Sequence, residues 1–325
     1  MEKTYTNVGS PTSAPCGPRN DSPRIVSTEK ALRPHISASL LVIVGASLFG
    51  TTGTAVSRVP GGADPWSTGS LRLLIGGFVL TLVAGRRMKS VRALPAPMLA
   101  GVVLVAVYQL AFFWAVTDTG VAVSTLTAIG VSPLVSRLIG IVRQRPTPRP
   151  WWFLSTVLLL IGLTTLVVGG YAEVEVRIGG VIVALVAGSA FAGYTECASV
   201  AIDAGAHPDA VLGGVFFGAG VLTAPLLAIR PLDVFETRTG ILVVCHLSLA
   251  TLAIAYMAFG RGLRRLPPTS VTLLTIAEPL VATVLAVSVL DEQLSVVGWF
   301  GAVVLMSGLV AVATTTDETN ATVRP

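Results

Sequence analysis

A chain of 325 residues in which 53% of side chains are hydrophobic and only 12% charged carries about half the charge of an average soluble protein, which excludes an ordinary soluble domain. The formal charge of +5 does not point to nucleic acid, because the basic residues lie in short clusters between apolar runs and not in one domain. Three cysteines (Cys16, Cys197, Cys245) and three histidines (His35, His207, His246) show no metal-ligand spacing, so no metal site and no cofactor are predicted.

Residues 1–36 are rich in Pro, Ser, Thr and basic side chains. Such a segment buries too little apolar surface to offset its ordering entropy and is read as a disordered tail. Ten apolar runs follow at 37–57, 67–86, 96–116, 120–142, 151–170, 179–201, 209–229, 239–259, 268–290 and 294–315, before a short polar tail at 316–325. Each has a length of about 20 residues, which as a helix rises about 30 Å, the thickness of the hydrocarbon core. Backbone groups in lipid must be satisfied internally, and the runs lack the alternation of a barrel strand, so each is read as a helix. The predicted fold is all-α and integral to the membrane, with ten transmembrane helices and the lipid bilayer as first partner.

Lys and Arg set the orientation. With the N-terminus inside, sixteen of the 22 basic residues fall on the inner side and four (Arg58, Arg177, Arg230, Arg238) on the outer side, while Arg72 and Arg137 lie within spans. This positive-inside bias predicts a multi-pass protein of the cell membrane with both termini cytoplasmic. The 202–208 loop is the exception, an inner loop with neither Lys nor Arg.

The chain also repeats. A shift of 146 residues lays Ser132-Pro-Leu-Val over Glu278-Pro-Leu-Val and Gly162 over Gly308, and a shift of 142 lays Ser47-Leu-Phe49 over Ser189-Ala-Phe191. Each half, 37–170 and 179–315, therefore holds five helices. Five is odd, so the halves are predicted to cross the membrane in opposite senses. Aligned loops carry opposite charge: Arg143, Arg145 and Arg149 follow the fourth helix, whereas Asp291 and Glu292 follow the ninth. Inverted repeats of this kind place substrate near the midplane, between the halves.

These features resemble the drug/metabolite transporter superfamily, in the form with two EamA-type domains. The resemblance rests on Gly45-Ala-Ser-Leu-Phe-Gly50, Ser70-Leu-Arg72, Phe112-Phe-Trp-Ala115, Tyr256-Met-Ala-Phe259, Ile276-Ala-Glu-Pro-Leu280, Asp291-Glu292 and Gly298, and spans about residues 37–315. It implies transport of small metabolites across the cell membrane, often export of amino acids, related compounds or drugs. The first half departs from the pattern, with Ser132 in the place of Glu278 and with Arg145 and Pro146 in the places of Asp291 and Glu292.

Four ionisable residues lie within spans: Arg72, Arg137, Glu196 and Glu278. A charge at a helix centre costs about 2.5–3.5 kcal/mol on insertion scales, so each is expected to face the bundle interior. Glu278 is a candidate proton or substrate-amine site, or a packing residue. Arg137 and Glu196 lie at similar depth and could pair as an inner gate, or snorkel separately. Arg72 could bind a substrate carboxylate or anchor its helix. Pro133 and Pro279 are candidate kinks. Tyr108, Gln109, Trp114, Tyr194, His246 and Tyr256 could line a cavity or bond to one another. Gly214-Val-Phe-Phe-Gly218 offers a close helix contact. The leading function is a secondary transporter coupled to protons or exchange, since no phosphate-binding loop is present. An intramembrane enzyme and a channel or receptor-like scaffold remain as alternatives, without a catalytic set or a selectivity ring. Substrate, direction, coupling ion and oligomeric state are not legible.

Overall fold

The computed structural model describes residues 29–145, 150–170, 177–289 and 293–320. Asp291 and Glu292, Arg149, Pro146 and nearly all of the N-terminal tail lie outside the described residues, and so do the loop-charge expectations that rest on them. Among the described residues ten helices are long and apolar enough to span a bilayer. They are α1 (Ser37–Val56), α2 (Pro65–Val91), α3 (Pro95–Gly120), α4 (Val123–Val142), α5 (Pro150–Gly169), α6 (Ile178–Asp203), α7 (Pro208–Ala228), α8 (Arg238–Leu263), α9 (Pro268–Val289) and α10 (Val296–Ala313). Every one falls within a few residues of an apolar run read from the sequence. Helical backbone extends before α1 to Glu29 and beyond α10 to Asn320, into segments read as tails. Large apolar side chains such as Leu82, Trp151, Val303 and Phe300 face outward, which in a bilayer is contact with lipid and not a liability.

Local chemistry explains the breaks. Pro65, Pro95, Pro150, Pro208 and Pro268 open their helices, where the missing N–H is one that no helix could satisfy. α3 and α4 are joined through Gly120, which takes φ +81°, a conformation closed to most L-residues. α9 is interrupted at Thr275 and Ile276. The interruption lies just ahead of Pro279, whose ring excludes the carbonyl four residues earlier, that of Thr275. Helical structure continues through Pro133, so the two aligned prolines are not equivalent. In α8 the residues Leu249–Ile254 form a π-helix.

Packing runs through glycines. A Cβ placed on Gly77 of α2 would sit 2.7 Å from the Phe216 carbonyl carbon of α7, and one on Gly220 of α7 would sit 2.6 Å from the Leu74 nitrogen of α2. A Cβ on Gly162 of α5 would sit 2.7 Å from Leu305 Cα of α10, and one on Gly308 of α10 would sit 2.9 Å from Leu159 Cγ of α5. Gly169 approaches Gly298 across the same seam. In both seams residues early in one helix meet residues late in the other, so α2 and α7 are antiparallel, as are α5 and α10. The remaining contacts form two matching sets. α1 runs against α8, through Gly45–Ala255 and Phe49–Tyr256, and beside α9, through Gly50–Val281. α6 runs against α3, through Gly193–Leu104 and Tyr194–Tyr108, and beside α4, through Gly188–Ala128. Gly214 meets Met98 and Gly218 meets Val102, so that glycine pair lets α7 approach α3 within one chain.

Gly220→Ala is expected to lower the unfolding midpoint in detergent, at a cost of about 1–3 kcal/mol, because the partner there is backbone and cannot yield. Gly53→Ala, whose Cβ would enter open space, should leave the midpoint unchanged or raise it slightly. Equal midpoints for the two variants would contradict the seam.

Candidate functional site

The centre of the bundle is aromatic. Tyr256 of α8 lies 4.1 Å from Phe216 of α7, 4.9 Å from Phe49 of α1 and 5.5 Å from Phe259, ring centre to ring centre. Tyr194 of α6 lies 5.2 Å from Phe191 and 6.2 Å from Tyr108 of α3. The Tyr194 and Tyr256 hydroxyls hydrogen-bond to each other at 2.9 Å, which satisfies two buried polar groups at once. Five helices from both halves thus meet in one cluster, with each tilted or edge-on pair contributing about 0.5–1.5 kcal/mol beyond its buried area.

Two opposite charges border this cluster. Glu278 projects from α9 just after its break and keeps part of its surface open between buried Ala277 and Pro279. Among the described residues its carboxylate has no hydrogen-bond or ion-pair partner. Its first-half counterpart Ser132 is buried and bonds to the carbonyls of Ala128 and Gly188 at 2.6 and 3.1 Å. One half is therefore closed at this position and the other open. Arg72 of α2 donates through Nη2 to the Thr251 carbonyl of α8 at 3.1 Å. Thr251 lies within the π-helix, and such a bulge displaces carbonyls from the regular ladder and leaves them available. Arg72, Glu278, Tyr108 and Tyr256 are within electrostatic reach of one another, but Arg72 and Glu278 do not form an ion pair. His246 Nε2 meets Thr51 Oγ1 of α1 at 2.8 Å. Gln109 is buried and packs with Phe113 against Gly69 of α2. Trp114 is 56% exposed among the outward apolar side chains and stands apart from the cluster.

Of the two readings open for Arg137 and Glu196, pairing or separate placement, the structure does not show the pairing: Glu196 has another arginine beside it. Glu196 is buried, with Arg145 Nη1 at 2.8 Å from its Oε2 and Ser136 Oγ donating to its Oε1 at 2.9 Å. The cause is the end of α4. Gln144 takes φ +54° and the Arg145 N–H returns to the Gly140 carbonyl at 2.8 Å, the reversed hydrogen bond of a left-handed helix cap. That turn folds Arg145 back along α6. Sequence gave no sign of it, because the left-handed position is not a glycine. Arg137 stays half-buried beside Gly140.

Opposite charges also face each other at both ends of the α2–α7 seam. Asp64 caps α2, accepting from the Ser67 N–H at 2.8 Å, and holds Arg230 at 2.6 Å. The Arg230 guanidinium also lies 5.9 Å from the centre of the Trp66 ring. Partial burial pushes the Asp64 carboxyl up, but the Ser67 amide and the Arg230 charge outweigh it and hold it below the usual carboxylate range. At the other end Asp209, 1% exposed in the first turn of α7, faces Arg87 at 3.6 Å and Arg261 at 3.8 Å. His207 caps α7 by accepting the Asp209 N–H on Nδ1 at 3.3 Å. Burial, seconded by Arg87, Arg264 and Arg261 against the pull of Asp209, lowers its pKa, so the imidazole is neutral at pH 7 and keeps the lone pair that the cap requires. These arginines supply the 202–208 turn with the positive charge it lacks.

A double-mutant cycle over Arg145 and Glu196 should give a coupling of about 1–3 kcal/mol in detergent stability. The same cycle over Arg137 and Glu196 should give about zero within the usual scatter of such cycles. Coupling confined to the Arg137 pair would overturn the assignment.

Among the described residues no group of three or more His, Cys, Asp or Glu is placed to hold a metal ion. The EamA-like transporter family matches residues 36–168 and again 178–314. A Bacillus subtilis (strain 168) protein described as the uncharacterized transporter YwfM is 36% identical over 278 residues, covering 85% of this chain and 93% of its own. A protein of known crystal structure shares the fold with a TM-score of 0.74 at 20% identity, covering 85% of this chain and 96% of that one. With ten spans, a shared polar and aromatic centre and these matches over most of its length, the chain belongs to the EamA-like transporter family, a multi-pass membrane protein of the drug/metabolite transporter superfamily.

Proposed function

We propose that this protein is a secondary-active transporter that exports amino acids, related compounds or drugs by alternating access around a cavity between two inverted five-helix repeats. The observation that carries the reading is that Arg72 and Glu278, opposite charges that do not pair with each other, both lie within electrostatic reach of Tyr108 and Tyr256. Leaving a carboxylate without a partner inside a membrane protein is costly, and a substrate amine, or a proton, is the partner that offsets it. Arg72 has one nitrogen committed to Thr251 and its remaining donors suit a carboxylate. Tyr108, Tyr194 and Tyr256 offer rings to the rest of the solute.

The contacts support the repeat. Gly162–Leu305 and Gly308–Leu159 are one contact seen twice under the shift of 146, and Gly77–Phe216 and Gly220–Leu73 are one contact seen twice under a shift of 143. The partners in each seam run antiparallel, as inversion requires. The split at 37–170 and 179–315, with cytoplasmic termini, rests on this and on the basic residues at the ends of α2, α4 and α8. Coupling to protons or to exchange follows from Glu278 as the one open intramembrane carboxylate among the described residues.

The test is counterflow in proteoliposomes preloaded with amino acids. Saturable uptake of labelled solute against an equal pool is expected. Arg72→Gln should reduce it about tenfold or more, the usual worth of a charge-assisted hydrogen bond. Glu278→Gln should abolish proton-driven accumulation. Full pH-dependent accumulation by a correctly inserted Glu278→Gln protein would refute the protonation role. Non-saturable flux would refute the carrier.

A further inference from the structure

We infer that Asp64–Arg230 and Asp209–Arg87 are two latches of one design, closing opposite ends of the α2–α7 seam and engaging in alternation. The inference rests on the alternating-access reading above and names residues that would execute it.

Both latches follow the same plan. An acidic residue at the start of one helix takes an arginine from the end of its antiparallel partner. Arg87 and Arg230 are separated by 143 positions, the shift that also relates Gly77 to Gly220. Asp64 is the N-cap of α2 and Asp209 sits in the first turn of α7, where the helix dipole favours negative charge. Between the latches the seam is backbone against backbone at Gly77, Gly213 and Gly220. One pair of rings, Phe78 and Phe217 at 5.8 Å, also crosses the seam, and the smooth glycine contacts around it permit one helix to rock on the other, so opening at one end means closing at the other.

The two latches are not in the same condition. Arg230 lies 2.6 Å from Asp64 and donates to it through two nitrogens. Asp209 is more deeply buried, yet both of its carboxylate oxygens lack a hydrogen bond. Its arginines stand at 3.6 and 3.8 Å, outside hydrogen-bonding distance, with side chains 57% and 51% exposed. A buried carboxylate held only at arm's length is the less stable arrangement. The structure thus has the Asp64 latch engaged and the Asp209 latch slack, as expected when one end is shut and the arginine-rich end is relaxed.

The experiment reads access to the centre and needs no known substrate. In a full-length chain with Cys16, Cys197 and Cys245 replaced by serine, Tyr108→Cys is labelled with a membrane-impermeant maleimide. The reagent is applied separately to each face, in right-side-out and inverted vesicles. Arg230→Gln is expected to raise labelling from the Asp64 face about two- to fivefold and lower it from the arginine-rich face, the range an ion pair of this exposure commands. Asp209→Asn should shift labelling the opposite way. Changes of the same sign, or none in inserted protein, overturn the inference. If either variant fails to insert, bis-maleimide tethers between cysteines at 64 and 230, or at 87 and 209, replace it, and each should confine labelling to the untethered face. Labelling from both faces despite a tether overturns the inference. Opposed labelling without counterflow by the unaltered protein leaves the latches standing and removes the transport reading, whereas counterflow by the unaltered protein with unmoved labelling removes the latches alone.

Discussion

A carbonyl inside hydrocarbon has no water to accept from, so any backbone group released from a helix must find a side chain or a neighbour. This constraint forces ten helices on the chain, and it also marks where the helices are interrupted. The π-helix of α8 offers the Thr251 carbonyl, and Arg72 takes it. The end of α5 offers Gly169, and Ser295 takes it. The end of α9 offers Val289, and Arg58 takes it at 3.1 Å. Each of these three carbonyls is met by a polar side chain from another segment, and such groups mark the interior and the two ends of the bundle.

Glycine seams supply the rest. Lipid tails are as apolar as leucine, so helices associate by close packing and not by exclusion from water. The α2–α7 and α5–α10 seams bring backbones together where a single methyl would collide. They fix those helices as antiparallel pairs, and α1, α3, α6, α8 and α9 bring Phe49, Tyr108, Tyr194, Tyr256 and Glu278 to the middle beside Arg72 of α2 and Phe216 of α7. The two segments that match the family nevertheless differ in chemistry at an aligned position. Ser132 is consumed by two carbonyls, while Glu278 at the aligned position stays open.

Much of this was legible in the sequence, for physical reasons. Span length is set by bilayer thickness, so the runs of apolar residues place all ten helices found among the described residues. Gly162 and Gly308 stood out through the repeat. The π-helix had no signature, because Leu249–Ile254 reads as any apolar stretch, and so the partner of Arg72 was hidden. Depth in the sequence offers Arg137 as a possible partner for Glu196, whereas the contact is made by Arg145. The cap at Gln144 that delivers Arg145 depends on a left-handed residue without glycine's signal. Trp114 was grouped with cavity residues by type, and its helix face was settled only by packing.

The central claim is that Arg72 and Glu278 together receive a zwitterionic solute. Ligand-induced thermal shift separates this from every role in packing alone. Each amino acid would be compared with its decarboxylated amine and its deaminated acid, on the unaltered protein, Arg72→Gln and Glu278→Gln. A shift that needs both ends of the solute is predicted, with the Arg72 variant indifferent to loss of the carboxylate and the Glu278 variant indifferent to loss of the amine. Equal shifts from all three forms of the solute, or shifts unaltered in both variants, would contradict the account.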